Sequence, residues 1–152
     1  MKIIGFGKAN EEDITEYEQK MGCRFPEDYK QFLLEYNGGI PETENNHINI
    51  GLSRNVGVFR INWLTYGGEA RNRLYSVCDD VKNLGAIMQP EYFIPFASAD
   101  LDLSIIISIK EDMKGIYIYD FLRVLKESKK TPFHKVCDTF TEFLELIVPN
   151  EQ

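Results

Sequence analysis

The chain has 152 residues, 43% of them hydrophobic and 27% charged, with a formal net charge of −7. That length suits one domain, residues 1–152, whose core needs no disulfide or metal staple, and the composition excludes a disordered chain. The acidic excess repels phosphate backbones, so a basic protein is a better expected partner than nucleic acid, although the same charge also suits mere solubility.

Asn10 is a good N-cap, and Glu11, Glu12 and Asp13 follow it at the positive end of a first helix. Ile14, Tyr17 and Met21 recur at helical spacing, and Gly22 stands where a C-terminal glycine belongs. Pro26 opens a second helix with Tyr29, Phe32, Leu33 and Tyr36 on one face. Asn37-Gly38-Gly39 is expected to end that helix structurally, because these residues accept positive φ, and Pro41 prevents continuation.

His47 to Leu52 and Val58 to Leu64 read as strands, the second with Phe59, Ile61 and Trp63 on one face. Tyr66-Gly67-Gly68 reads as a turn. Glu69 to Met88 reads as a helix with Leu74, Val77, Cys78, Val81 and Leu84 inward. Phe93 to Ala97 is a short strand. Leu103 to Lys110 and Gly115 to Leu122 form a hairpin joined through Glu111-Asp112-Met113-Lys114. Lys126 to Lys130 is a polar loop. Thr139-x-x-Glu142 is a capping box before a last helix striped by Phe140, Phe143, Leu144 and Ile147. Helices first, strands next and a closing helix describe an α+β domain with a largely antiparallel sheet.

Little in this order points to catalysis. His47 and His134, the two histidines, have no metal-ligand spacing, and no nucleophile motif accompanies them. His47 is expected to be solvated. Gly5-Phe6-Gly7 lacks the strand and the third glycine of a dinucleotide loop and reads as a flexible turn. Asp100 and Asp102 could bind a metal or do acid–base work in a small hydrolase; capping free N–H groups at a strand-entry turn is the simpler reading. Asp79 and Asp80 fall on the outer face of the third helix. Trp63 and Tyr66 could anchor a partner, and Trp63 could equally be core. Cys23, Cys78 and Cys137 share no Cys-x-x-Cys spacing and read as reduced thiols beside apolar residues. No cofactor or metal is expected. The start of the chain is too short in apolar residues for a signal peptide, and runs such as Ile105-Ile106-Ile107 fall far below spanning length, so a cytoplasmic protein without a membrane partner is expected.

Several of these pieces together resemble the SUKH superfamily, or Smi/Knr-type domain. They are the acidic helix Ile14 to Met21, Phe25-Pro26-Glu27-Asp28-Tyr29, Phe32-Leu33 and Asn37-Gly38-Gly39-Ile40-Pro41. Further on stand Ile94-Pro95-Phe96-Ala97 with Asp100, then Tyr117-Ile118-Tyr119-Asp120, then Thr139-Phe140-Thr141-Glu142-Phe143-Leu144. The family often has glycine near the Asp100 step, where this chain has Leu101 and Leu103. The resemblance implies a non-catalytic immunity protein that neutralises a cognate nuclease toxin, an RNase first and a DNase second, by stoichiometric occlusion. A regulatory protein-binding scaffold is the alternative. On that reading the open sheet edge and its loops contact the toxin's C-terminal domain. Glu42, Glu44, Asp79, Asp80, Asp100 and Asp102 would supply charge, and Tyr66 an aromatic anchor.

Overall fold

A computed structural model describes residues 2–64 and 89–150. The expected turn at Tyr66-Gly67-Gly68 and the expected helix from Glu69 to Met88 lie outside the described residues.

Helix α1 spans Glu11–Met21, and the Asn10 side chain accepts the Glu12 N–H at 2.7 Å. Gly22 closes it in the left-handed region, its N–H donating to the Glu18 carbonyl. Helix α2 spans Glu27–Tyr36 and buries Tyr29, Phe32 and Leu33. Helix α3, Phe140–Leu146, is capped by Thr139, which accepts the Glu142 N–H. Asp28 at the start of α2 accepts both the N–H and the hydroxyl of Thr141 at 3.0 Å, tying the two helix starts together.

The strands are β1 (Ile3–Gly5), β2 (Gly39–Pro41), β3 (Asn46–Ile48), β4 (Val58–Ile61), β5 (Phe93–Ala99), β6 (Ser104–Ser108), β7 (Gly115–Tyr119), β8 (Phe133–Cys137) and β9 (Ile147–Pro149). A seven-stranded sheet runs β1-β2-β4-β5-β6-β7-β8, and β3 pairs with β9 in a small second ladder. Every pairing between these strands is antiparallel. The α+β class follows.

One sheet face packs on the helices. Phe96 meets Tyr29, Phe140 and Phe143 at ring-centroid distances of 5.9, 5.4 and 5.1 Å. Ile94, Ile105, Ile107, Ile116 and Ile118 complete that core. On the opposite face Phe93, Ile106 and Tyr119 form a smaller cluster with Phe133 and Tyr117.

Several elements depart from the sequence expectations, among them Ile147, expected on the last helix but paired with Ile48 in β9. The N-terminal turn is the edge strand β1, paired with β2 through Ile3↔Pro41 and Gly5↔Gly39. Strand β8 pairs with β7, yet it sits on an edge where four of its side chains are half-buried, so no alternation marked it. The Lys126 to Lys130 loop contains a 3-10 turn, Lys126–Lys129. Finally, Phe59 does not share a face with Ile61 and Trp63. A register irregularity between Val58 and Arg60 turns Phe59 to solvent, while Ile61 and Trp63 are buried. Trp63 packs edge-on against Phe6 at 5.4 Å and is core.

Candidate functional site

The connection from α2 into the sheet positions an exposed apolar face. Asn37, Gly38 and Gly39 take φ of 51°, 82° and 153°. The Asn37 N–H donates to Leu33 O, and its side-chain oxygen accepts the Leu64 N–H at 2.9 Å, so the turn is bonded on both sides. The chain leaves it directly as β2, between β1 and β4.

Ile4 and Ile40 are register partners whose side chains point away from the core, 51% and 41% exposed. Phe59, displaced by the bulge, is 60% exposed. Ile40, Pro41, Glu44, Val58 and Phe59 line a pocket of about 300 Å³ between β2 and β4. Exposed Glu42 and Glu44 border this apolar surface. The Glu42 backbone N–H donates to Lys2 O at 3.0 Å, and the Glu44 carbonyl accepts the Asn46 N–H. Asn46 is buried, donating to Val58 O and accepting the Val58 N–H, which locks the Glu44 segment to β4. An apolar centre bordered by carboxylates on a bonded backbone suits a cationic protein surface with an apolar knob.

The β5–β6 turn lies beside the start of β4. Asp100 accepts the Gly57 N–H at 2.8 Å and returns its own N–H to Gly57 O, the capping role that competes with a metal site. Leu101 and Asp102 both have positive φ, 62° and 59°, the values of a type I′ turn built without asparagine or glycine. Asp102 is exposed. Glu44, Asp100 and Asp102 thus gather around one end of β4, with Glu42 further along β2. Tyr66, Asp79 and Asp80 lie outside the described residues.

A larger groove of about 560 Å³ opens at the other end of the sheet, floored by Phe25, Ile107, Ile116 and Phe140. Of its polar groups, Asp28 bonds Thr141 and Lys114 pairs with Glu111 at 3.2 Å. Among the described residues no group of three or more His, Cys, Asp or Glu could hold a metal ion. Burial pushes the thiols of Cys23 and Cys137 up to about 12 and about 11, with Glu18 and Glu142 adding repulsion, so both stay protonated at neutral pH. Cys78 lies outside the described residues.

Sequence reasoning missed a buried polar chain. Asp120, 1% exposed, accepts the N–H groups of Val124 and Leu125 at 2.9 and 2.8 Å and the Ser128 hydroxyl. Ser128 Oγ also bonds His134 Nε2 at 2.7 Å. The serine stands between the carboxylate and the histidine, and among the described residues no carboxylate hydrogen-bonds His134 directly. Burial alone would raise the Asp120 pKa, but the hydrogen bonds from Ser128, Leu125 and Val124 and the charge of His134 carry it below the ordinary carboxylate value. The signal available beforehand was an Asp directly after a strand, followed by a Ser eight residues on. His47, expected to be solvated, is half-buried on β3 and bonds the Asn150 side chain.

Among known proteins, the chain is 53% identical over 30 residues to the uncharacterized protein YnaB of Bacillus subtilis (strain 168), a match spanning 20% of this chain and 21% of that protein. No solved structure matches. The family model for the SMI1 / KNR4 family (SUKH-1) matches residues 8–146, nearly the whole described fold. The capped helix pair, the antiparallel sheet and the closing helix are therefore those of a member, and the chain belongs to the SMI1 / KNR4 family (SUKH-1).

Proposed function

We propose that the protein is an immunity protein that binds a cognate nuclease toxin and blocks it stoichiometrically, an RNase in preference to a DNase. The family is known for immunity-type proteins, which supports the role. The observation that carries it is the exposed Ile4–Ile40–Phe59 surface bordered by Glu42 and Glu44. Nuclease surfaces hold phosphate with Lys and Arg, and such cations complement this border. Desolvating Phe59 against a partner's apolar group would supply the central anchor, while the carboxylates steer the encounter. Asp100 would act as a turn clamp, and Asp102 as an outer charge. No step of the proposed action makes or breaks a covalent bond.

Co-expression with the C-terminal domain of a toxin encoded beside this gene tests the reading. Survival of the host and a co-purifying one-to-one complex are expected. A toxin domain that kills regardless, and that never co-purifies, would refute it and leave a regulatory scaffold as the better account.

A further inference from the structure

A second surface stands out at the far side of the sheet. The segment after β7 folds over Asp120, whose carboxylate holds Val124, Leu125 and Ser128. Arg123 takes φ of 56°, and its Nη1 donates to Ser128 O at 2.6 Å. Leu125 is driven into the core, whereas Phe121, Leu122 and Val124 remain 50%, 60% and 46% exposed. Three outward apolar side chains in four residues thus sit on a loop whose backbone is already ordered. Insertion into a partner costs no further loop entropy.

The charge around this loop is opposite to that of the whole chain. Exposed Arg123, Lys126, Lys129 and Lys130 stand against half-buried Glu127 and the buried Asp120, in a protein of net charge −7. Glu127 is engaged by the Ser53 N–H and hydroxyl. Lys126, Lys129 and Lys130 form no ion pair with a described residue. From β4, which carries Phe59, to β7 is three interstrand steps, about 14 Å, so this surface is separate from the Ile40–Phe59 site.

We propose that the Phe121–Val124 tip and its lysines form a peripheral docking surface for an anionic lipid bilayer. Apolar side chains projecting with cations behind them match the boundary between acyl chains and charged headgroups. Flexible ammonium groups suit a diffuse anionic layer, where a fixed protein carboxylate calls for the planar fork of arginine. Neither cavity described above lies beside the loop, whose apolar side chains project as knobs. The expectation of no membrane partner rested on the shortness of apolar runs. A loop contact of this kind needs no span. The neighbouring β5–β6 turn brings two opposing carboxylates, exposed Asp102 and half-buried Asp100, to the same end of the sheet through the Ser104↔Tyr119 register.

Flotation of the full chain with vesicles tests the proposal. The protein should float with phosphatidylcholine vesicles containing about one-third phosphatidylserine, not with phosphatidylcholine alone, and should release as salt rises. Combined Lys126→Glu, Lys129→Glu and Lys130→Glu should weaken association by on the order of a hundredfold or more. Leu122→Asp should abolish it, and Asp102→Asn should strengthen it. Leu122→Trp should keep binding and show a blue-shifted emission only with the anionic vesicles. All these positions are exposed, and an unchanged thermal melt shows that each variant is folded. Wild-type protein that ignores anionic vesicles at low salt overturns the proposal. So does equal flotation of the Leu122→Asp variant, or loss of toxin binding in that variant while the wild type ignores vesicles.

Discussion

Gly38 offers the sharpest quantitative test of how the α2 exit is built. A methyl group added there would lie 2.5 Å from Asn62 O, 2.6 Å from Asn62 C and 2.6 Å from Ile61 O, all backbone atoms, at φ of +82°. Left-handed backbone costs an alanine about 1–2 kcal/mol, and the stiffer unfolded chain returns roughly 0.4–1 kcal/mol. Relieving the contacts means displacing the end of β4, which we place at a further 1–3 kcal/mol, roughly the cost of overpacking. Gly38→Ala should therefore destabilise by about 1–5 kcal/mol, and a loss of about 3 kcal/mol lowers Tm by about 6–12 °C in a chain of this length. Gly51 provides the control, because its φ is +76° and nothing lies within 4 Å of its added Cβ. Gly51→Ala should show only the backbone part, about 1 kcal/mol or less. Urea unfolding of both variants, with a common m-value, measures the difference directly. If Gly38→Ala lost no more than Gly51→Ala, the close approach of β4 to the turn would be wrong.

Four further outcomes are expected. Phe59→Ala should leave stability within about 0.5 kcal/mol of wild type because the ring is exposed, yet weaken toxin binding by about tenfold or more in a titration. Glu42→Lys with Glu44→Lys should mainly slow association, an effect that shrinks with salt in stopped-flow measurements. Asp102→Gly should raise stability by about 0.5–1 kcal/mol by relieving a positive φ. Asp120→Asn should cost about 1–3 kcal/mol at neutral pH, because buried N–H groups lose a charged acceptor. The folded-state pKa of Asp120 is depressed, so its contribution is complete above the unfolded carboxylate pKa and is lost as pH falls through the folded value. The stability gap between wild type and Asp120→Asn should therefore narrow only in that acid range. A gap that stayed constant through acid titration would contradict this assignment.

What the chain's order of residues determined was local. Asn10, Gly22 and the Thr139–Glu142 box act on backbone groups within four positions, so both ends of α1 and the start of α3 could be read, whereas Ile147, expected on α3, belongs to β9. The α2 stripe and the β6–β7 hairpin were legible for the same reason: the periodicity and the turn sit inside one short segment. The antiparallel α+β class followed from that pattern. Tertiary structure decided the rest. Strand β1 exists because Ile3 and Gly5 find Pro41 and Gly39, and three residues with one buried side chain carry no alternation of their own. The bulge that exposes Phe59 is a mismatch with β5, invisible in β4 alone. Asp120 is buried and charged only because a turn folds back over it and meets His134 on β8. Pairings between distant segments depend on which surfaces the whole chain buries together, and no window of neighbouring residues contains that information.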